Sequence, residues 1–208
     1  MNAPQPLRRG LLALGVASSD EQVARLERYL ALLEKWNRVY NLTAIREPER
    51  MVTHHLLDSL AILPHVRGPR VLDVGSGAGL PGIPLAIASP GLAVTLLDSN
   101  HKKVAFLQQA IAELQLANAT VVAQRVESWQ TGERFETVVS RAFADLGEFV
   151  SAAARLLAPG GTIAAMKGVH PHDEIERLPA GFRVRAVLKL DVPLLDAERH
   201  LVLVEPAA

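Results

Sequence analysis

Cysteine is absent from the 208 residues, and that one absence excludes disulfide scaffolds, Cys-ligated zinc or iron–sulfur sites and thiolate nucleophiles together. Long apolar runs are missing as well. None approaches the roughly 20 residues that cross a bilayer, and Met1 to Gly10 carries two Arg and two Pro without the apolar stretch of a signal peptide. The expectation is a cytoplasmic protein with no membrane partner. An excess of charge is lacking too, with 22 Lys plus Arg against 22 Asp plus Glu, so any nucleic-acid contact must come from a local patch. No repeat or polar low-complexity tract interrupts the chain, and 49% hydrophobic with 21% charged residues is the composition of an ordinary globular domain with a core of its own.

Two patterns follow one another along the chain. Ser18, Ser19 and Asp20 offer N-caps for a helix over about 20 to 37, whose apolar residues Val23, Leu26, Leu30, Leu33 and Trp36 recur every three or four positions. A second helix starts near Pro48, carries Met51, Val52, Leu56, Leu57, Leu60 and Leu63, and stops at Pro64. From Arg70 onward short apolar runs alternate with helical periodicity, the signal of βαβ units. Strands are predicted at 70–74, 93–97, 120–123, 136–140, 161–166, 182–190 and 199–204, with helices at 82–88, 101–116 and 145–157, the last ended by Pro159-Gly160-Gly161. The last two strands leave no room for a helix between them and should pair antiparallel.

The densest signal is the run from Val71 to Gly82, in which a buried strand containing Asp73 enters a turn holding Gly75, Gly77 and Gly79 and then a helix start. Glycines there permit positive φ and close approach of a ligand. A second strand ends at Asp98, 19 residues after Gly79, where a carboxylate can accept both hydroxyls of a ribose. Gly77 to Gly82 also satisfies the G-x-G-x-x-G pattern of dinucleotide enzymes. Asp73 would set negative charge near a pyrophosphate but suits the cationic methionine end of S-adenosylmethionine, and Pro81 and Pro84 alter the helix start a pyrophosphate needs. The pocket therefore reads as one for S-adenosylmethionine.

Further tracts widen the match. Trp36-Asn37-Arg38-Val39-Tyr40-Asn41-Leu42-Thr43, His54-His55-Leu56-Leu57-Asp58-Ser59, the loop Gly75 to Pro84, Leu97-Asp98-Ser99, Ser140-Arg141-Ala142-Phe143, Lys167-Gly168 and Glu198-Arg199-His200-Leu201 together resemble the ribosomal small-subunit RNA methyltransferase G family, also called glucose-inhibited division protein B. The resemblance implies an α/β fold: a class I Rossmann-like methyltransferase with a seven-stranded, mostly parallel sheet and an antiparallel last strand. Residues 1–66 would form an N-terminal helical extension and 67–208 the S-adenosylmethionine-binding methyltransferase domain. It further implies transfer of a methyl group to guanine N7 in 16S rRNA, with 16S rRNA or the small ribosomal subunit as partner, and low-level streptomycin resistance when the gene is lost. No obligate protein partner is evident, and a monomer is expected.

The residue inventory agrees with that chemistry. C5 methylation of a pyrimidine ordinarily needs a cysteine, and exocyclic amine methylation ordinarily follows a D/N-P-P-Y/F loop where this chain has Ser140-Arg141-Ala142-Phe143. Guanine N7 carries a lone pair and no proton, so alignment suffices and no general base is required. Gly75, Gly77, Gly79 and Leu80 are expected to wall the cofactor pocket, Asp73 to face the methionine end, Asp98 the ribose, and Val126 with Glu127 the adenine. Arg141 would sit at the mouth, on cofactor carboxylate or substrate phosphate, unless it serves a structural ion pair. Arg141, Lys167 and Arg199 are the candidate catalytic residues; Lys167, Arg199 and His200 would meet RNA phosphates or the guanine O6. Phe143 reads equally as a stacking surface or as core, and Asn37, Asn41 and Asp58 read as loop-fixing groups more readily than as substrate contacts. His54-His55 with Asp58, and His170-Pro171-His172-Asp173, fall short of a full ligand set, so no metal is expected.

Overall fold

The computed structural model describes residues 4–141 and 143–207. Its centre is a seven-stranded sheet of β1 (Arg70–Val74), β2 (Ala93–Leu97), β3 (Ala119–Val122), β4 (Phe135–Ser140), β5 (Leu157–Lys167), β6 (Phe182–Lys189) and β7 (His200–Pro206), in the order β3-β2-β1-β4-β5-β7-β6. Strands β1 to β5 run parallel, and β7 lies antiparallel between β5 and β6. The parallel strands are near-continuous apolar runs because both faces are covered by helices.

The helices are α1 (Pro4–Ala13), α2 (Asp20–Tyr40), α3 (Pro48–Met51), a π-helical stretch (Val52–Leu57), α4 (Asp58–Leu60), α5 (Gly82–Ala88), α6 (His101–Leu114), α7 (Leu146–Ala153) and α8 (His172–Glu176). Ser19 and Gln22 close α2 with a reciprocal capping box, and Asn100 caps α6 through the amides of Lys102 and Lys103. One cluster of buried side chains joins Leu7, Leu26 and Leu33 of the N-terminal helices to Ile83, Leu96 and Leu107 around one sheet face. A second, with Leu72, Val138, Phe149 and Val202, fills the other face. The first cluster crosses residue 66 without a break, so the helical extension shares the core of the sheet.

Two polar side chains fasten α2 to α5 and to the turn after β1. Gln22 Nε2 donates to the carbonyls of Ile87 and Ala88 at 3.0 Å each, closing the C-terminal end of α5. The buried Tyr29 hydroxyl donates to the Ala78 carbonyl at 2.6 Å, inside the glycine-rich turn. Tyr29→Phe is expected to cost about 1 to 3 kcal/mol, because it leaves that carbonyl without its donor. Urea unfolding of the two proteins measures this.

The structure departs from the sequence reading at definite places. α1 and α8 are additional helices, and the helix from Pro48 carries a π-helical middle. The helix expected to Leu157 ends at Ala153, passes through a 3-10 turn, and gives way to β5 at Leu157. Pro159-Gly160-Gly161 is thus an irregularity inside a strand. Gly160 has φ +72°, and the register against β4 shifts between Phe135↔Leu157 and Thr137↔Thr162.

Candidate active site

The candidate residues gather along the edge of the sheet where the parallel strands end. After β1 the chain turns sharply, with φ of +69° at Gly75, +60° at Gly77 and +85° at Gly79, values that β-substituted residues rarely adopt. The amides of Gly75 and Ser76 both donate to the Leu97 carbonyl, at 2.8 and 3.1 Å, which binds the turn to the end of β2. Asp98 completes that link. Its Oδ2 accepts from Gly77 N at 2.9 Å and its Oδ1 from Asn100 N at 2.8 Å, and Lys103 Nζ stands 4.0 Å from Oδ2.

A cavity of about 170 Å³ opens beside this turn, lined among others by Gly75, Asp98, Ser99, Val126, Glu127 and Phe143. Gly75, Asp98, Val126 and Glu127 are therefore brought together as the sequence predicts. No heavy atom lies within 4 Å of where a β-carbon on Gly75 would stand. Of the other nominated residues of the turn, Leu80 is a core side chain, a β-carbon on Gly79 would collide with Ile83, and Gly77 lies outside the cavity lining and gives its amide to Asp98. Phe143 stacks on Phe149 with ring centroids 5.1 Å apart. Ser99 also lines this cavity; it belongs to the Leu97-Asp98-Ser99 tract but is given no role by the sequence.

Asp73 is wholly buried one turn below. Its Oδ2 accepts from Gly82 N at 3.0 Å, at the start of α5, while Oδ1 has no partner among the described residues. Burial pushes its carboxyl up to about 7, against the opposing pull of the Gly82 amide, Ser76 and Arg141. An unfolded Asp titrates near 3.9. Between pH 4 and 7 the folded chain therefore holds a proton that the unfolded chain has lost, and this site's stability contribution falls across that window and is level above it. Buried His55, pushed down to about 4 by burial and by Arg141, acts in the opposite direction up to pH 6.5. The expected observation is accordingly a difference: the stability of wild type minus that of Asp73→Asn declines from pH 4 to 7, by at most roughly 1.4 kcal/mol per pH unit. Paired thermal melts across pH 4 to 8 check it.

A larger cavity, about 390 Å³, is lined by Thr43, His55, Asp58, Arg141, Lys167 and Arg199 among others. All three candidate catalytic residues thus border one space, and the N-terminal helices build its other wall. None of their cationic groups hangs free. Arg141 Nη1 donates to the His54 carbonyl at 3.0 Å and lies 3.5 Å from Asp58 Oδ2. Arg199 Nε donates to Asp58 Oδ1 at 2.9 Å. Lys167 Nζ donates to Glu174 Oε2 at 2.7 Å and to the carbonyls of Phe143 and Ala144 at 3.3 and 3.4 Å. The expected encounter of Lys167 with RNA phosphate meets an ammonium already engaged by three acceptors, because α8 brings Glu174 back over the end of β5.

The remaining candidates divide similarly. Asn37 is buried and its Oδ1 accepts from Thr43 N at 2.9 Å, while Asn41 Oδ1 accepts from Arg46 Nη2 at 2.8 Å. Both fix the turn after α2. His200 is buried, with Nδ1 3.4 Å from the Gly168 carbonyl. His170 stacks on His172 at 3.8 Å. Among the described residues no group of three or more His, Asp or Glu is placed to hold a metal ion, and no helix is long and apolar enough to cross a membrane.

Comparison with known proteins identifies the lineage. The sequence model of the family described as rRNA small subunit methyltransferase G matches residues 22–202. A protein of Laribacter hongkongensis named ribosomal RNA small subunit methyltransferase G is 56% identical over 202 residues, covering 97% of this chain and 98% of that one. One of the same name from Nitrosospira multiformis is 52% identical over 214 residues, covering 100% and 99%. Among solved structures, the glycopeptide N-methyltransferase MtfA complexed with S-adenosyl-L-homocysteine superposes with a TM-score of 0.64 at 14% identity, over 74% of this chain and 87% of that one. The N-methyltransferase NodS from Bradyrhizobium japonicum, also with S-adenosyl-L-homocysteine, gives 0.58 at 15%, over 85% and 99%. These likenesses establish the class I methyltransferase fold with N-terminal helices added. By sequence along nearly its whole length, the chain belongs to the rRNA small subunit methyltransferase G family.

Proposed function

We propose that this chain transfers the methyl group of S-adenosylmethionine to N7 of a single guanine in 16S rRNA, acting in the cytoplasm as a single chain. The observation that carries the reading is the pairing of two cavities along one sheet edge: a small one with carboxylates at Asp98 and Glu127 beside the open face of Gly75, and a larger one bordered by Arg141 and Arg199. The residues present fit the cofactor. Asp98 would hold the ribose, Val126 and Glu127 the adenine, and Asp73, whose buried Oδ1 has no partner among the described residues, would face the methionine end. The bound cofactor supplies an electrophilic methyl group on a sulfonium.

The larger cavity suits a substrate that needs no proton removed. His55 is held neutral by burial and by Arg141, with Nε2 3.0 Å from Thr43 Oγ1, and Asp58 is engaged by both arginines. Neither is free to act as a base, and N7 requires none. The arginines orient the base or its phosphates by hydrogen bonds and exclude competing geometries.

The test is methyl transfer in vitro. Wild-type protein with radiolabelled S-adenosylmethionine and unmodified small subunits or 16S rRNA should give a labelled RNA that borohydride and aniline cleave at one site, since N7 methylation opens the imidazole ring to reduction. Label without cleavage would place the methyl group on another atom, and turnover without RNA would indicate a small-molecule substrate.

A further inference from the structure

We propose that Asp58 is a positioning residue for the transfer: one buried carboxylate that fixes the Arg141 and Arg199 guanidinium groups relative to each other at the wall of the larger cavity. The inference rests on the reading of that cavity as the place where the RNA is received.

Three distant segments meet at this carboxylate. Asp58 opens α4 directly after the π-helical stretch, Arg141 follows β4, and Arg199 immediately precedes β7. Oδ1 takes the Arg199 Nε–H at 2.9 Å and Oδ2 faces Arg141 Nη1 at 3.5 Å. The Asp58 side chain is 4% exposed, whereas those of Arg141 and Arg199 are 25% and 20% exposed. The anion is thus hidden and the two cations present their edges outward. Each arginine is braced a second time on a backbone carbonyl, Arg141 on His54 at 3.0 Å and Arg199 on Glu198 at 2.8 Å. A guanidinium has five N–H donors, so both keep donors for an incoming acceptor while their planes are fixed.

The protein element that delivers Asp58 is itself unusual. π-helical turns inside α-helices recur at functional sites, and here Val52–Leu57 supplies the His54 carbonyl to Arg141 just before Asp58 is reached. α1 packs on this stretch so closely that a β-carbon on Gly10 would stand 2.3 Å from Leu57 Cδ1. Without the carboxylate, two cations would face one cavity with no common anion and would turn apart. The triad as a whole keeps one net positive charge to attract RNA.

A structural ion pair would affect only stability, so the experiment reads kinetics on folded protein. Asp58→Asn, Asp58→Glu, Arg199→Gln and the double variant Asp58→Asn with Arg199→Gln are assayed as full chains on unmodified 16S rRNA, with melting temperature and S-adenosylmethionine affinity measured alongside. The expected result is a fall in kcat of about 30-fold or more for Asp58→Asn with RNA KM and cofactor Kd each within about threefold of wild type. Asp58→Glu, which restores the charge, should recover about a tenfold part of that loss, and the double variant should be no more than about threefold slower than Asp58→Asn alone. A folded Asp58→Asn protein with kcat within about threefold of wild type, or single losses that multiply in the double variant, would overturn the proposal. If Asp58→Asn does not fold, Arg141→Gln, Arg199→Gln and their double decide: losses that do not multiply support one unit, and losses that multiply refute it. A wild-type chain that transfers no methyl group to RNA would remove the functional reading and this inference together, whereas active wild type with indifferent variants removes the inference alone.

Discussion

Asp98→Ala is expected to weaken S-adenosylmethionine binding by roughly ten- to a hundredfold, the equivalent of about 1.5 to 3 kcal/mol for hydrogen bonds to a charged acceptor. The carboxylate is buried at the end of β2, and both of its oxygens already accept backbone N–H groups, Gly77 at 2.9 Å and Asn100 at 2.8 Å. Each oxygen keeps a second acceptor site for a ribose hydroxyl. Alanine therefore removes the ribose contact and also frees the Gly77 amide and the entry to α6. Because Asn100 still caps α6 with its own side chain, the fold should survive, and calorimetric titration can separate lost binding from lost structure. An unchanged affinity in Asp98→Ala, or wild-type protein that takes up NADH and ignores S-adenosylmethionine, would contradict the assignment.

Gly82→Ala should be more severe. A β-carbon there would stand 2.2 Å from Leu96 Cδ2, 2.8 Å from Asp73 Oδ2 and 3.2 Å from Asp73 Cβ. Neither neighbour can yield easily: Leu96 is fully buried, and Asp73 is held by the Gly82 amide itself. The start of α5 must move away from β1, which breaks that hydrogen bond and opens the turn. The expected outcome is a destabilisation of about 1 to 3 kcal/mol from overpacking and loss of measurable cofactor binding. Gly91→Ala provides the control, since its β-carbon would meet nothing within 4 Å and should change neither quantity. Equal behaviour of the two variants would show that the contact at Gly82 relaxes without cost.

The strands were legible because a parallel sheet covered on both faces writes itself as short apolar runs, and the turn after β1 because only glycine tolerates three positive φ values in five residues. β5 was misplaced at its start for the same reason in reverse. Pro159-Gly160-Gly161 carries the composition of a terminator, and local composition does not distinguish a stop from a bulge within a strand. α1 buries few positions, chiefly Leu7 and Leu11, and so leaves little periodicity to read. Val126 and Glu127, which line the smaller cavity, were found by counting past the third strand.

Partnership between charges was the part least visible. Arg199 reaches Asp58 across 141 positions and Arg141 reaches the His54 carbonyl across 87. Such contacts depend on how the N-terminal helices dock on the sheet, which no local spacing encodes. Lys167 is the sharper case: Glu174 is only seven residues away, yet the short helix that returns it, α8, has too few residues to announce itself. Arg141, Lys167 and Arg199 line one cavity, His200 does not, and the sequence left open which of the cations are already neutralised.

The most direct test of the central claim is mass spectrometry of 16S rRNA digests from cells with and without this gene. The account expects one N7-methylguanosine fragment to disappear on deletion and to return when the wild-type gene, but not one encoding Asp98→Ala, is restored. Unchanged N7-methylguanosine in 16S rRNA after deletion, in cells with no second enzyme for that position, would contradict it.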